Sequence, residues 1–277
     1  MNPSHTKCEL CGFEAKDVVH KKDGFNIVKC PCGLVYTNPR LDERSTENMY
    51  EDELKDYEYY MRSIVCDEKT FDKRLWLIER KFKPQPILDM GAGTGTFIKI
   101  ACKRGWNAEG VEINRRSFRF AVHNKCRMHK SVPRDKKFGV VNMSDYLEHT
   151  HHPVKTLQKM HNILLPGGAI VISVPNWSNP ITRMFQLKPM QHLFYFTKNT
   201  LIKTMEKAGF EVVYCRTTSR YRALENIHLG STFRQSSLKH TFKLLTTMKL
   251  IYFIRLLANN LHDDILAVGI KKLNRMV

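Results

Sequence analysis

One stretch limits the folds open to this chain more than any other: Ile87-Leu88-Asp89-Met90-Gly91-Ala92-Gly93-Thr94-Gly95-Thr96-Phe97. An apolar run enters it, three glycines sit at alternate positions, and an amphipathic segment leaves it. That pattern is a strand, a tight turn and the start of a helix. Glycines tolerate positive φ and let backbone approach a ligand closely. The first N–H groups of the following helix have no partner inside it and point at whatever sits on the turn. The stretch is therefore suited to holding a small polar molecule against backbone.

The spacing of the glycines narrows the choice. A P-loop needs Gly-x4-Gly-Lys-Ser/Thr, and this stretch has no Gly-Lys pair. The dinucleotide fingerprint G-x-G-x-x-G, counted from Gly91, calls for glycine at 96, which is Thr96; the third glycine is Gly95. The pattern Asp89-x-Gly91-x-Gly93-x-Gly95 instead resembles motif I of the class I S-adenosylmethionine (SAM)-dependent methyltransferases. Glu112 lies 21 positions past Gly91, where an acid accepts hydrogen bonds from ribose hydroxyls. NAD and SAM share that ribose, so Glu112 alone leaves both open. Thr96 and the lack of a pyrophosphate-clamping pattern favour SAM.

Strand and helix signals alternate around this loop, which argues a parallel sheet covered on both faces. Strands are expected at 86–90, 107–112, 127–131, 138–143 and 169–174, with helices at about 94–104, 114–125 and 153–164. Pro166-Gly167-Gly168 reads as the turn before the fifth strand. A helix over 67–83 presents Phe71, Leu75, Ile78 and Phe82 on one face and ends at Pro84. Another follows Thr197 as N-cap and stops at Gly209, and 210–216 and 264–270 read as two last strands. The expected fold is α/β, a Rossmann-like class I methyltransferase sheet of seven strands, with a helical insertion at about 222–262.

Further strings carry the same resemblance. Asp145, Leu147, Glu148 and His149 fit a "D-x-L-E-H" block after the fourth strand of small-molecule methyltransferases, and Pro175-Asn176 fits the end of the fifth. His192 matches an "H-x-x-x-(F/Y)-(T/S)" string on the substrate side. The resemblance implies a SAM site made of Asp89, Gly91, Ala92, Gly93, Gly95, Glu112, Ile113, Asp145 and Leu147. It makes His192 and His149 the candidate bases; for each, a role in satisfying loop backbone or positioning SAM is the alternative. The acceptor implied is a small molecule, sugar or lipid-like, methylated on oxygen. The Asn-Pro-Pro-Tyr signature of many nucleic-acid base methylators is absent.

Ahead of this domain, Cys8-x2-Cys11-Gly12 and Cys30-x-Cys32-Gly33 read as two turns of a small knuckle over residues 1–40. Four thiolates from two turns suit tetrahedral Zn²⁺ in a structural role, since no coordination position stays open; free thiols or redox chemistry are the alternative. The second turn is one residue shorter than the usual C-x2-C. The following Gly33-Leu-Val-Tyr-Thr-Asn-Pro-Arg40 resembles a junction found in bacterial methyltransferases with an N-terminal zinc ribbon. Residues 41–83 then form a helical lid or linker, with Tyr50, Tyr57, Tyr59 and Tyr60 either buried in a helix or folded over the cofactor; the methyltransferase domain is 84–277.

Lys and Arg number 45 against 27 Asp and Glu, a net charge of +18. That bears on partners rather than fold. The basic residues are dispersed, so nucleic acid is admitted as a partner but not favoured; RNA methylation or nucleic-acid binding is the alternative function, and a non-catalytic SAM-fold protein a further one. Residues 236–260, basic and apolar together, could pack over the substrate mouth, in a dimer, or at a membrane surface. No apolar run is long enough to span a bilayer and no leader opens the sequence, which leads us to expect a cytoplasmic protein. Oligomeric state is not legible.

Overall fold

The computed structural model describes residues 4–51, 54–221 and 261–272. Residues 222–260, which hold the expected insertion and its membrane-facing candidate 236–260, lie outside the described residues. Among the described residues no helix is long and apolar enough to cross a membrane.

The main sheet has seven strands among the described residues: β4 (Pro86–Met90), β5 (Asn107–Val111), β6 (Met128–His129), β7 (Phe138–Ser144), β8 (Leu164–Pro175), β10 (Phe210–Thr218) and β11 (Asp264–Lys271). Their order across the sheet is β10-β11-β8-β7-β4-β5-β6. β6, β5, β4, β7 and β8 run parallel, and β11 is antiparallel to both neighbours. This is the class I methyltransferase sheet that the glycine loop led us to expect. Strand order reverses between β4 and β7, so the first loop after β4 opens onto the crevice where such sheets bind ligands.

Residues alternate between the faces. Leu88, Val141, Ile170 and Ile172 enter one core cluster, which extends over α5 (Pro153–Ile163) and α7 (Lys198–Lys207). Ile87, Val140 and Val171 enter the other, with α2 (Leu54–Glu79) and α3 (Thr96–Lys103). α4 (Arg115–His123) adds Ala121 to it. Period-two burial on both faces explains the near-continuous apolar strands.

Two local expectations are corrected. The Pro166-Gly167-Gly168 turn lies inside β8: Phe138 pairs with Leu164 but Val140 pairs with Ala169, so the three residues form a bulge on the strand. Gly168 is required there, because a Cβ would stand 2.8 Å from the Leu165 carbonyl oxygen. The helix expected from 67 begins at Leu54, so the tyrosine-rich segment and the Phe71–Ile78 face are one element. Charged residues between the tyrosines hide the continuity. Thr197 caps α7 as expected, with Thr200 completing a capping box, and Gly209 follows its end at φ 96°.

A second sheet is built from β1 (Asp17–Lys22), β2 (Phe25–Lys29), β3 (Val35–Thr37) and β9 (Phe194–Tyr195), in that order. β9 lies some 160 residues downstream of β3 in sequence, inside the methyltransferase domain, and pairs Tyr195 with Val35 and Phe194 with Tyr36. Cys8, Val28, Cys30, Leu34 and Tyr36 share one core cluster with Leu147, Leu193 and Phe194. The N-terminal residues thus pack directly on the elements that flank His192. α1 (Glu43–Glu51) and α6 (Pro180–Phe185) complete the α-helices among the described residues.

Candidate functional site

The loop after β4 takes its shape from three left-handed glycines, Gly91 (φ 69°), Gly93 (φ 51°) and Gly95 (φ 78°). The N–H groups of Gly91 and Ala92 both donate to the Val111 carbonyl. Glu112, buried at the end of β5, accepts from Gly93 N–H through Oε2 (2.8 Å) and from Asn114 N–H through Oε1 (2.7 Å). A carboxylate has about four lone-pair sites, so two remain for hydroxyl donors. Burial pushes the Glu112 carboxyl up, and the backbone N–H groups of Asn114, Gly93 and Ile113 pull it back. Ile113 beside it is partly exposed.

Two aromatic rings cover this loop. A Cβ on Gly91 would lie 2.7 Å from the Tyr146 ring, and one on Gly93 would lie 3.6 Å from the Tyr60 ring of α2. The missing side chains let the two rings pack directly on the loop backbone. The arrangement of positive-φ backbone, helix start and acid at the end of β5 fits a nucleoside with a hydrophobic flank.

Asp89 is buried at the end of β4 and accepts from Asn142 Nδ2 at 2.7 Å. Burial, helped by the nearby Glu112, pushes its carboxyl up to about 7. From Asn142 a polar chain runs along the carboxyl edge of the sheet. Asn142 Nδ2 also donates to Ser144 Oγ (3.2 Å), which accepts from Arg74 Nη1 of α2 (3.0 Å). Arg74 reaches Asp264 at 3.4 Å, and Arg220 clamps Asp264 through Nε (2.7 Å) and Nη2 (2.9 Å). Arg220 also grips Asp145 with both Nη atoms, one at 2.7 Å. Asp145 sits at φ 52°. Burial raises its carboxyl, but Arg220 and Arg74 outweigh that and hold it low. Its expected place in a cofactor site is thus one end of an ion-pair chain. Leu147 faces the core with no exposure, so only its backbone is available to a ligand.

A second group converges next to Tyr146. The turn Leu147–His149 brings up Glu148 and His149, and the loop before β9 brings His192. One ligand atom from each of Glu148, His149 and His192 lies within 4.8 Å of the others. The two rings are edge to face with centroids 4.8 Å apart. His149 Nδ1 lies 2.9 Å from the Gln191 carbonyl and 2.8 Å from the Tyr50 hydroxyl. His192 Nδ1 lies 2.9 Å from the Gln186 carbonyl. A carbonyl only accepts, so both rings carry their proton on Nδ1 and a lone pair on Nε2, a tautomer assigned from geometry. Burial pushes His149 down to about 4 and His192 well below the usual range, so both are neutral near pH 7. Glu148 is 1% exposed and neither carboxylate oxygen has a hydrogen-bond partner.

The sequence had singled out His149 and His192 separately, and the structure brings them together. Tyr50, Arg74, Asn142 and Arg220 were missed as site residues. Tyr50 and Asn142 lie in segments that had drawn notice, but Arg74 and Arg220 reach the edge from distant elements with no local spacing to reveal them.

The four N-terminal cysteines also meet. Cys8 Sγ lies 3.5 Å from Cys32 Sγ and Cys11 Sγ lies 3.3 Å from Cys30 Sγ, with all four within 4.8 Å. Sulfurs around Zn²⁺ at about 2.3 Å stand roughly 3.8 Å apart in a tetrahedron, so the set fits that ion. The shorter C-x-C is accommodated by a tighter turn: Gly12 N–H bonds back to Cys8 O, but Gly33 N–H to Cys30 O, one residue closer.

Known proteins share this architecture. A crystal structure of a SAM-dependent methyltransferase from Archaeoglobus fulgidus superposes with TM-score 0.53 at 21% identity, covering 74% of this chain and 94% of that one. One from Thermotoga maritima gives TM-score 0.52 at 16% identity over 77% and 95%. A ubiquinone biosynthesis O-methyltransferase of Pseudomonas aeruginosa is 26% identical over 125 residues, 40% of this chain and 53% of that protein. The chain thus spans about half the length of the curated relatives it matches. The family model for the methyltransferase domain Methyltransf_23 matches residues 57–214, from the tyrosine-rich part of α2 through β10. With the strand order and the glycine loop, that match makes the chain a member of this methyltransferase-domain family.

Proposed function

We propose that this chain transfers a methyl group from SAM to an oxygen of a small-molecule acceptor, sugar-like or lipid-like in class. The observation that carries the reading is the juxtaposition across Tyr146 of the Gly91–Gly95 loop and the buried Glu148–His149–His192 group. The similarity to a ubiquinone biosynthesis O-methyltransferase supports oxygen as the acceptor atom.

Bound SAM supplies an electrophilic methyl on a sulfonium. Glu112 offers its two remaining lone-pair sites to the ribose hydroxyls. Asp89 would face the ammonium end, directly or through water, the Gly91, Ala92, Gly93 and Gly95 backbone would hold the nucleoside, and Ile113 would flank the base. The acceptor hydroxyl stands near the neutral imidazoles, and Nε2 of His192 or His149 takes its proton. Tyr60 and Tyr146 exclude water from the loop, in keeping with a covering role for residues 41–83. Most of the rate gain comes from holding donor and acceptor in line. A structural Zn²⁺ on Cys8, Cys11, Cys30 and Cys32 stabilises the N-terminal sheet, which supplies the wall beside His192.

Calorimetry with SAM is the first test. Wild type binds, and Glu112→Ala abolishes binding; no binding by wild type overturns the reading. Incubation with methyl-labelled SAM and fractionated metabolites or total RNA then separates the acceptors. Label in an ether of a small molecule is expected, and label confined to RNA overturns the choice of acceptor. For zinc, metal analysis of Cys11→Ser is expected to show the loss of one sulfur-bound equivalent.

A further inference from the structure

We propose that Glu148, His149 and His192 form a second metal site, for a divalent first-row cation or Zn²⁺, separate from the four-cysteine cluster. The donor set itself is the first argument. Two imidazoles and a carboxylate suit Zn²⁺, Fe²⁺, Co²⁺ and Mn²⁺. Three protein ligands leave positions open for water or an exogenous oxygen, whereas four thiolates leave none.

The state of Glu148 is the second argument. It is 1% exposed with both oxygens unpartnered. Other carboxylates at this edge are satisfied: Asp89 by Asn142, Glu112 by two N–H groups, Asp145 and Asp264 by Arg220. A buried carboxyl left alone forfeits about 1–3 kcal/mol or more. His149 does not relieve it, because Nε2 stands 3.9 Å from Glu148 Oε1, beyond hydrogen-bond reach. A cation between them removes the deficit.

The histidines supply the third argument. Each has Nδ1 held by a backbone carbonyl, Gln191 for His149 and Gln186 for His192. That outer contact fixes the ring and leaves Nε2 as the ligand atom, the arrangement that orients metal-binding histidines. The backbone ties the group together: Leu193 N–H donates to Glu148 O (2.8 Å), and Thr37 Oγ1 donates to His192 O (3.0 Å). With bonds of about 2.1 Å, neighbouring ligand atoms stand roughly 3–3.5 Å apart. Closing from separations of up to 4.8 Å needs side-chain movements of about 1 Å. For methyl transfer, and resting on the reading above, an acceptor hydroxyl at an open position would ionise at lower pH and lose its proton to solvent water, because the cation would hold both Nε2 lone pairs.

The test uses the full chain with the four-cysteine cluster filled with Zn²⁺, titrated with Co²⁺ in the absence of SAM and acceptor. Its outcome is therefore independent of whether the chain methylates anything. Wild type is expected to take up one further equivalent, with the weak visible bands of nitrogen and oxygen ligands and no sulfur charge transfer. Glu148→Gln keeps the shape but not the charge, and His192→Gln removes one imidazole. Each is expected to weaken uptake by at least about 100-fold, beyond the usual effect of losing an outer-shell partner, while unfolding as cooperatively as wild type. Cys11→Ser keeps the equivalent. No further equivalent in wild type, or uptake unchanged in both Glu148→Gln and His192→Gln, overturns the proposal.

Discussion

The two halves of the cleft solve the same problem in opposite ways. Around Gly91–Gly95, the buried carboxylate Glu112 is paired with backbone N–H groups from positions close in sequence, which hold the loop in shape. Around Glu148, the carboxylate is buried without a partner, and its neighbours come from Tyr50, from 148–149, from 186–192 and, through Thr37, from the N-terminal sheet. The first half is a local structure whose ligand is read from its backbone. The second is a non-local assembly whose deficit points to something that completes it. Perturbing the first should act on cofactor binding and stability together; perturbing the second should separate them.

The largest effect, on stability and SAM affinity together, is expected from Gly91→Val. The position has φ 69°, and a Cβ there meets the Tyr146 ring at 2.7 Å. Left-handed backbone costs a β-branched residue about 1–2 kcal/mol, and overpacking adds about 1–3. A loss of about 3 kcal/mol by denaturant unfolding and at least a 100-fold loss in SAM affinity follow, the latter roughly the 2.7 kcal/mol that a displaced loop forfeits. Adding Tyr146→Ala should restore the packing share of stability and leave the backbone share. Full restoration would show that Gly91 is there only to admit the ring.

Asp89 comes next, and its sign is unusual for a carboxylate. Its folded value, about 7, lies above that of an unfolded aspartate. The folded state therefore holds the extra proton between about pH 4 and 7, and stability falls as pH rises through that window. About three pH units correspond to about 4 kcal/mol at most. Unfolding measured against pH should show this slope in wild type and a shallower one in Asp89→Asn, where the raised carboxyls of Asp67 and Glu148 remain. An unchanged slope would mean that Asp89 is ionised throughout.

For the other half, Glu148→Leu should stabilise the chain by about 1–3 kcal/mol when no cation beyond the cysteine-bound ion is present, because an orphaned buried group is replaced by an apolar one. Methyl transfer should fall in the same variant. A gain in stability with a loss of activity marks a residue kept for function. Destabilisation by a similar amount would place a partner on Glu148 and bring the two halves closer in kind.

This contrast also accounts for what the sequence could reveal. The succession of strands along the chain follows from apolar runs separated by turn signals, and the Asp89–Glu112 pairing from spacings within 25 residues, so both were legible; the arrangement across the sheet came only with the family resemblance. His149 and His192 were each legible as histidines in a string, but not as a pair, because their meeting depends on β3 pairing with β9 across some 160 residues. Arg220 was illegible for the same reason: it neutralises Asp145 and Asp264 from the end of β10, where no local pattern distinguishes it from the chain's many other basic residues. The Pro-Gly-Gly bulge was misread since the same residues serve turns and bulges.

The smallest effect is expected at the joint between the N-terminal sheet and the cleft. Thr37 Oγ1 donates to the His192 carbonyl at 3.0 Å, and Thr37 is fully buried. Thr37→Val keeps the volume and removes that donor, at a cost of about 1 kcal/mol in stability. Its action on the cleft should be one-sided. The glycine loop shares no hydrogen bond with Thr37, so SAM affinity by calorimetry should stay as in wild type. Turnover of acceptor should drop by a few-fold, about 1 kcal/mol in the barrier, because the His192 backbone is released by one contact. If SAM affinity moves as far as turnover does, the halves are mechanically coupled through Tyr146, and the N-terminal sheet braces the whole cleft rather than one wall of it.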